Sequence, residues 1–251
     1  KVWVELPGDA LQTNDTLKTS IKGYSFVPTH KVVFEEGTGT WCGWCPRGTV
    51  YMDSMYKVHP TTTALIAVHN GDPMTNTVYD NGIGTLISGY PTALCGRAIE
   101  ELDPSDMFTS YAAHLNDFAL ANLVVTPNYN TTTKVADVVV NTNMASGFVN
   151  NSATNDYRLA VVFTEDNVTG TTSTYGQTNY YSSASQNQPL VGACLNLQTS
   201  PTPVPAASMH YDFVARTILG GFSGQANSLP STLTAGSTYT SSTFSYTVPA
   251  A

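Results

Sequence analysis

The sequence predicts an α/β domain followed by an all-β sandwich domain. Three observations carry that expectation. Between residues 31 and 120, apolar runs of strand length alternate with helical periodicity. From Ala121 onward only strand and turn signals recur, spaced as in a β-sandwich. Charge falls at the same place. Residues 1–120 hold 7 basic and 13 acidic side chains and residues 121–251 only 3 and 5, so Thr, Ser, Asn, Tyr and Gly dominate the second half. Hydroxyls and amides of this kind solvate the outward faces of strands in extracellular β domains. Apolar alternation persists there, as in "YRLAVVFTED" and "HYDFVARTILGG", which sets this half apart from a low-complexity tail. The expected division is residues 1–30 as lead-in strands, 31–120 as the α/β domain and 121–251 as the sandwich.

Taken in order, "HKVVFEEG" reads as a strand, and residues from about Cys42 to His59 as a helix with Tyr51, Met52, Met55, Tyr56 and Val58 on its apolar side. "TTALIAVHN" is a nearly unbroken apolar run, as in a strand buried on both faces of a sheet. "GDPMTNTVYDNGIGTLISG" is a polar, Gly-rich connection with room for a short helix, and "YPTALCGRAIE" supplies another strand. "DPSDMFTSYAAHLNDFALA" opens on an Asp-Pro start signal and keeps helical period through Met107, Tyr111, Leu115 and Phe118.

Chemistry concentrates in "GTGTWCGWCPRG", residues 37–48, where Cys42 and Cys45 each have a tryptophan, Trp41 or Trp44, beside them. A structural zinc site needs four ligands, usually as two close pairs. Cys95 and Cys194 stand 99 residues apart, and His59 and His69 read as exposed or capping residues, so no metal is expected. The redox reading has a physical basis. The pair follows a strand and opens a helix, where unpaired backbone N–H groups and the macrodipole stabilise a thiolate. That predicts an exposed, nucleophilic Cys42 and a shielded, resolving Cys45. Pro46 fits the first helical turn, where its missing N–H costs nothing, and Arg47 adds a nearby cation. The competing reading is a disulfide that only pins a loop, although closing so short a loop stabilises modestly. Cys95 and Cys194 are expected as buried free thiols, with a bridge between the two halves as the alternative. Asp72, Asp80 and the Glu165–Asp166–Asn167 run read as turns rather than calcium loops.

The stretch "VVFEEGTGTWCGWCPRG", followed by an apolar strand and then "GYPT", resembles the thioredoxin superfamily over about residues 31–120. The resemblance implies Cys42 as nucleophile, Cys45 as resolving thiol, Trp41 as the preceding tryptophan and Pro91 as a cis-proline beside the disulfide. It places the buried acid that manages the resolving thiol at Glu36, with Glu35 on the opposite strand face. Trp44 stands where thioredoxin itself has proline, and intervening residues tune redox poise. With "GDPM" and "YRLAVVFTEDNVTG", the wider pattern is similar to thioredoxin-like outer-membrane and secreted lipoproteins of Bacteroidetes, which append a β-sandwich.

Function is bounded accordingly. A net charge of −8 leaves no basic footprint for nucleic acid, and no run approaches the roughly 18 apolar residues of a membrane helix. Beginning at Lys1, the chain reads as a mature or trimmed product. The expected activity is thiol–disulfide exchange with protein thiols and disulfides through Cys42, Cys45, Glu36 and Pro91, supported by Trp41, Trp44 and Arg47. No cofactor is required, and the expected location is the cell envelope or the exterior. The alternative is a surface structural or adhesive protein whose β half meets a cell-surface or assembly partner.

Overall fold

A computed structural model describes residues 2–3, 8, 10, 16–17, 23–97, 99–182, 190–192 and 195–249. The element order is β1 (Val2–Trp3), β2 (Thr16–Leu17), β3 (Val32–Thr38), α1 (Pro46–Val58), β4 (Thr63–His69), α2 (Thr77–Ile83), β5 (Thr92–Cys95), β6 (Glu100–Leu102), α3 (Met107–His114), β7 (Ala121–Asn130), β8 (Val135–Met144), β9 (Phe148–Val149), β10 (Val161–Glu165), β11 (Val214–Leu219), β12 (Thr232–Leu233), β13 (Thr238–Thr240) and β14 (Phe244–Thr247). The protein is a mixed α/β structure dominated by sheet. At the N-terminus, β1 and β2 pair antiparallel.

The central sheet has six strands in the order β10-β11-β4-β3-β5-β6. β3 runs parallel to β4 with α1 as the crossover, and antiparallel to β5. Having partners on both edges and helices on both faces, β3 is buried at six of its seven residues, so it shows no polar alternation. Side-chain alternation splits the strands between two layers. Phe34, Leu65, Ala67, Ala93 and Cys95 face α1 and α3 and pack on Met52, Met55 and Met107. Val68, Leu94, Ala215 and Ile218 face α2 and pack on Tyr79 and Ile83.

Several expectations shift. The helix after the cysteines starts at Pro46, with Cys45 as its N-cap, rather than at Cys42; proline at the first position sets the start. Of its expected apolar side, Met52 and Met55 are buried, whereas Tyr56 and Val58 are exposed. "YPTALCGRAIE" is a hairpin rather than one strand, because Gly96 and Arg97 both adopt positive φ between β5 and β6. α3 ends at His114, and Phe118 beyond it packs on Tyr24 with the rings tilted and their centres 4.1 Å apart.

The larger correction concerns the boundary at residue 120. Strands β10 and β11 lie in the expected sandwich, yet they pair with each other and with β4 to complete the central sheet. Of the other strands after residue 120, β8 pairs with β7 on one side and with β13 and β14 on the other, while β9 and β12 pair as a separate two-stranded sheet. β8 alternates buried and half-buried residues along its whole length. Its inner residues Val138, Val140 and Met144 pack with Phe244 and Leu233 against Val161, Phe163 and Leu219 of β10 and β11. Strands β10 and β11 thus belong to the central sheet rather than to a separate second sheet after residue 120. A strand's apolar pattern records that it is covered, not by which layer.

Candidate functional site

The cysteine motif occupies the turn from β3 into α1. The turn is drawn tight by Cys42 N–H donating to the Gly39 carbonyl at 3.1 Å, Cys45 N–H to Cys42 at 3.3 Å and Gly48 N–H to Cys45 at 2.9 Å. Cys42 and Cys45 are joined by a disulfide with Cα atoms 5.4 Å apart. Thr40 N–H donates to Asp72 at 3.0 Å, and the Trp41 indole N–H to the Asn70 carbonyl at 2.7 Å, so the loop after β4 holds the motif from one side. The Tyr90–Pro91 peptide is cis. Since Thr92 of β5 pairs with Gly37, Pro91 lies at the same end of the sheet as the motif.

Glu36 sits beneath this turn. It lies on the α1 face of β3 and is 1% exposed. Gly48, one turn into α1, stands against its carboxyl: a β-carbon there would come within 1.6 Å of Oε1. Burial pushes the Glu36 carboxyl up from the ordinary 4.5 to about 8, against a hydrogen bond with Thr38 and the charge of Arg47, which act the other way. The group is therefore a neutral acid at pH 7. Glu35 faces the opposite layer, where it pairs with Arg97 Nε at 3.0 Å and accepts the Tyr79 hydroxyl. Two adjacent glutamates thus enter different chemistry through strand alternation alone.

Arg47 forms an ion pair with Asp103 at 2.6 Å. Trp41 and Trp44 are about half exposed and flank the disulfide as an aromatic rim. Trp41 meets Tyr90 edge-on at 5.6 Å, and Trp44 meets Tyr180 and Tyr181, each at 5.4 Å. Cys45 is shielded at 1% exposure, but Cys42, expected to be open, is only 5% exposed.

A segment that sequence reasoning missed runs along the motif. Thr178 N–H donates to the Thr40 carbonyl at 2.8 Å and Tyr180 N–H to Gly43 at 2.9 Å. Buried Gln177 donates through Nε2 to the Cys42 carbonyl at 2.9 Å, and Thr40 Oγ1 donates to the Thr174 carbonyl at 2.9 Å. The Tyr180 ring lies on Gly43, where any side chain would collide with it. Each of these contacts joins residues more than 130 positions apart, and no local spacing announces them.

His69 is also placed differently from expectation. It is 4% exposed, with Nδ1 at 2.6 Å from Asp72 Oδ2. His59 caps α1 and stacks on Tyr111 at 4.0 Å. Asp80 accepts from Asn70, and Asp166 from the Phe213 amide, so these acids brace loops. Cys95 is a free, buried thiol, raised chiefly by burial; Cys194 lies outside the described residues. Among the described residues no helix is long and apolar enough to cross a membrane.

No protein-family model and no curated protein matches the sequence. Among solved structures, protein AGR_C_4864 from Agrobacterium tumefaciens is similar at 13% identity and a TM-score of 0.43, over 85% of this chain and 78% of that one.

Proposed function

We propose that this protein exchanges disulfides with protein thiols through Cys42 and Cys45, in the cell envelope or outside the cell. The observation that carries the reading is the bonded cysteine pair in the turn from β3 into α1, with the buried carboxyl of Glu36, neutral at pH 7, lying against Gly48 in the first turn of that helix. A substrate thiolate attacks Cys42 Sγ, and the electron pair of the broken bond leaves on Cys45 Sγ. In the low-dielectric space below, Glu36 protonates that leaving thiolate; in the reverse direction its carboxylate takes the proton back. The resemblance to thioredoxins supports these roles and adds Pro91 as the backbone that receives a substrate strand. A disulfide bond is stable in an oxidising compartment, which supports the location.

Burial of Cys42 beneath the 174–180 segment favours a second reading, in which the bond only pins the loop of a surface scaffold. Trapping separates the two. Reduced Cys45→Ala protein, mixed with a disulfide-bearing protein such as insulin, is expected to accumulate a mixed disulfide through Cys42. If no adduct forms and Cys42 titrates as an ordinary thiol near about 8.5, the exchange reading fails.

A further inference from the structure

Behind the disulfide, Glu36 and Thr38 of β3 stand in register with Ala67 and His69 of β4. Residues two apart share a strand face, so all four belong to the α1 layer. Glu36, Thr38 and His69 line a cavity of about 10 Å³ together with Asp53, Tyr211 and Asp212, the space that roughly one water centre requires. Glu36 Oε1 is buried with no hydrogen-bond partner, and an orphaned polar atom in an interior requires an account. The imidazole of His69, which lines the same cavity, offers one. Asp72 holds His69 Nδ1 and is itself fixed by the amides of Thr40 at 3.0 Å and Met74 at 2.9 Å. A carboxylate at Nδ1 keeps the proton on that nitrogen and leaves Nε2 for the cavity that the ring lines. The Tyr211 ring stands edge-on to the imidazole at 5.5 Å and limits its rotation.

We propose that the Asp72–His69 pair relays protons from solvent to Glu36, so that Cys45 is served by a two-member relay rather than by a lone acid. The inference rests on the exchange reading above. When a substrate thiolate forms its bond to Cys42 Sγ, the Cys42–Cys45 bond breaks and its electron pair stays on Cys45 Sγ. The Glu36 proton passes to Cys45, and His69 Nε2 takes a proton from solvent and hands it to Glu36 through water in the cavity, returning to the neutral ring protonated at Nδ1. Electrons are exchanged only among the sulfurs. The charged and titratable groups around this relay are Asp53 from α1, Asp72 behind His69, and Tyr211 and Asp212 from the segment before β11, with Arg47 acting on Glu36 from the first turn of α1. Asp72 also ties the relay to the motif, because the same carboxylate binds the Thr40 amide two residues before Cys42.

The test compares single-turnover exchange of wild type, His69→Asn and Asp72→Asn from pH 5 to 9. The side-chain amide of His69→Asn can still donate to Asp72 but has no second nitrogen for the cavity. A rate loss of about tenfold or more, within the range of general acid–base catalysis, and a flattened pH profile at an unchanged unfolding midpoint support the relay. So does a His69 imidazole resonance in wild type whose titration moves between the disulfide and dithiol forms, since coupling between two sites is reciprocal. That NMR readout also stands if the variants fail to fold. Unimpaired turnover and an unchanged pH profile in His69→Asn, with His69 titration indifferent to redox state, overturn the relay alone. Absence of wild-type turnover overturns the exchange reading and the relay with it.

Discussion

Glu35 and Glu36 are neighbours in sequence and opposites in environment. Glu35 has the Arg97 guanidinium to balance its charge, whereas Glu36 has one hydrogen bond and a more distant cation, so burial dominates and its carboxyl rises to about 8. The folded state then holds a proton that the unfolded chain releases near the ordinary 4.5. Between those two values the native state binds more protons than the unfolded one, so stability falls as pH rises through that window. Full ionisation costs a few kcal/mol, at about 1.4 kcal/mol per pH unit. Glu36→Gln is expected to match the parent near pH 4.5, exceed it in stability at pH 8.5 and exchange disulfides more slowly. Urea midpoints across that range check the first part; a variant that loses stability as steeply as the parent places the titrating group elsewhere.

At the scale of elements, the join of β3 to α1 depends on Gly48. Proline at the first helical position sets the start of α1, and the missing side chain two residues later leaves room for the Glu36 carboxyl. In Gly48→Ala the new methyl overlaps Oε1, so the buried glutamate must shift to make room for it. Overpacking of this kind costs about 1–3 kcal/mol. Placing Gly48→Ala in a Glu36→Ala background should remove most of that cost, which a double-mutant cycle by chemical denaturation measures. Additive costs would show that the two residues do not share the space. The start of α1 was legible from Pro46 only in part, since the cysteines themselves form a turn that local pattern cannot tell from a first helical turn.

Across the whole molecule, Arg97 joins the two halves of the chain. Held at positive φ between β5 and β6, it pairs with Glu35, donates to the Phe222 carbonyl at 2.5 Å and lies 4.0 Å over the Phe222 ring. Arg97→Met leaves Glu35 buried without its counter-charge. Removing one partner of a buried pair costs about 3 kcal/mol or more, and adding Glu35→Gln should recover part of it. Equilibrium unfolding decides; a near-neutral Arg97→Met would mean that the pair is dispensable to the join.

Periodicity by itself determined β3, β4 and the Met52–Met55 face of α1. The cysteine spacing and the strand parity that separates Glu36 from Glu35 were equally local, because each depends only on residues a few positions apart. Tertiary structure alone decided that β10 and β11 complete the central sheet, that Gln177 and Tyr180 close over the motif, and that His69, held by Asp72, shares a cavity with Glu36. The physical reason is the same in each case. Side-chain alternation reports that a residue is covered, while the identity of what covers it, often far away in sequence, is set by how the strands pair.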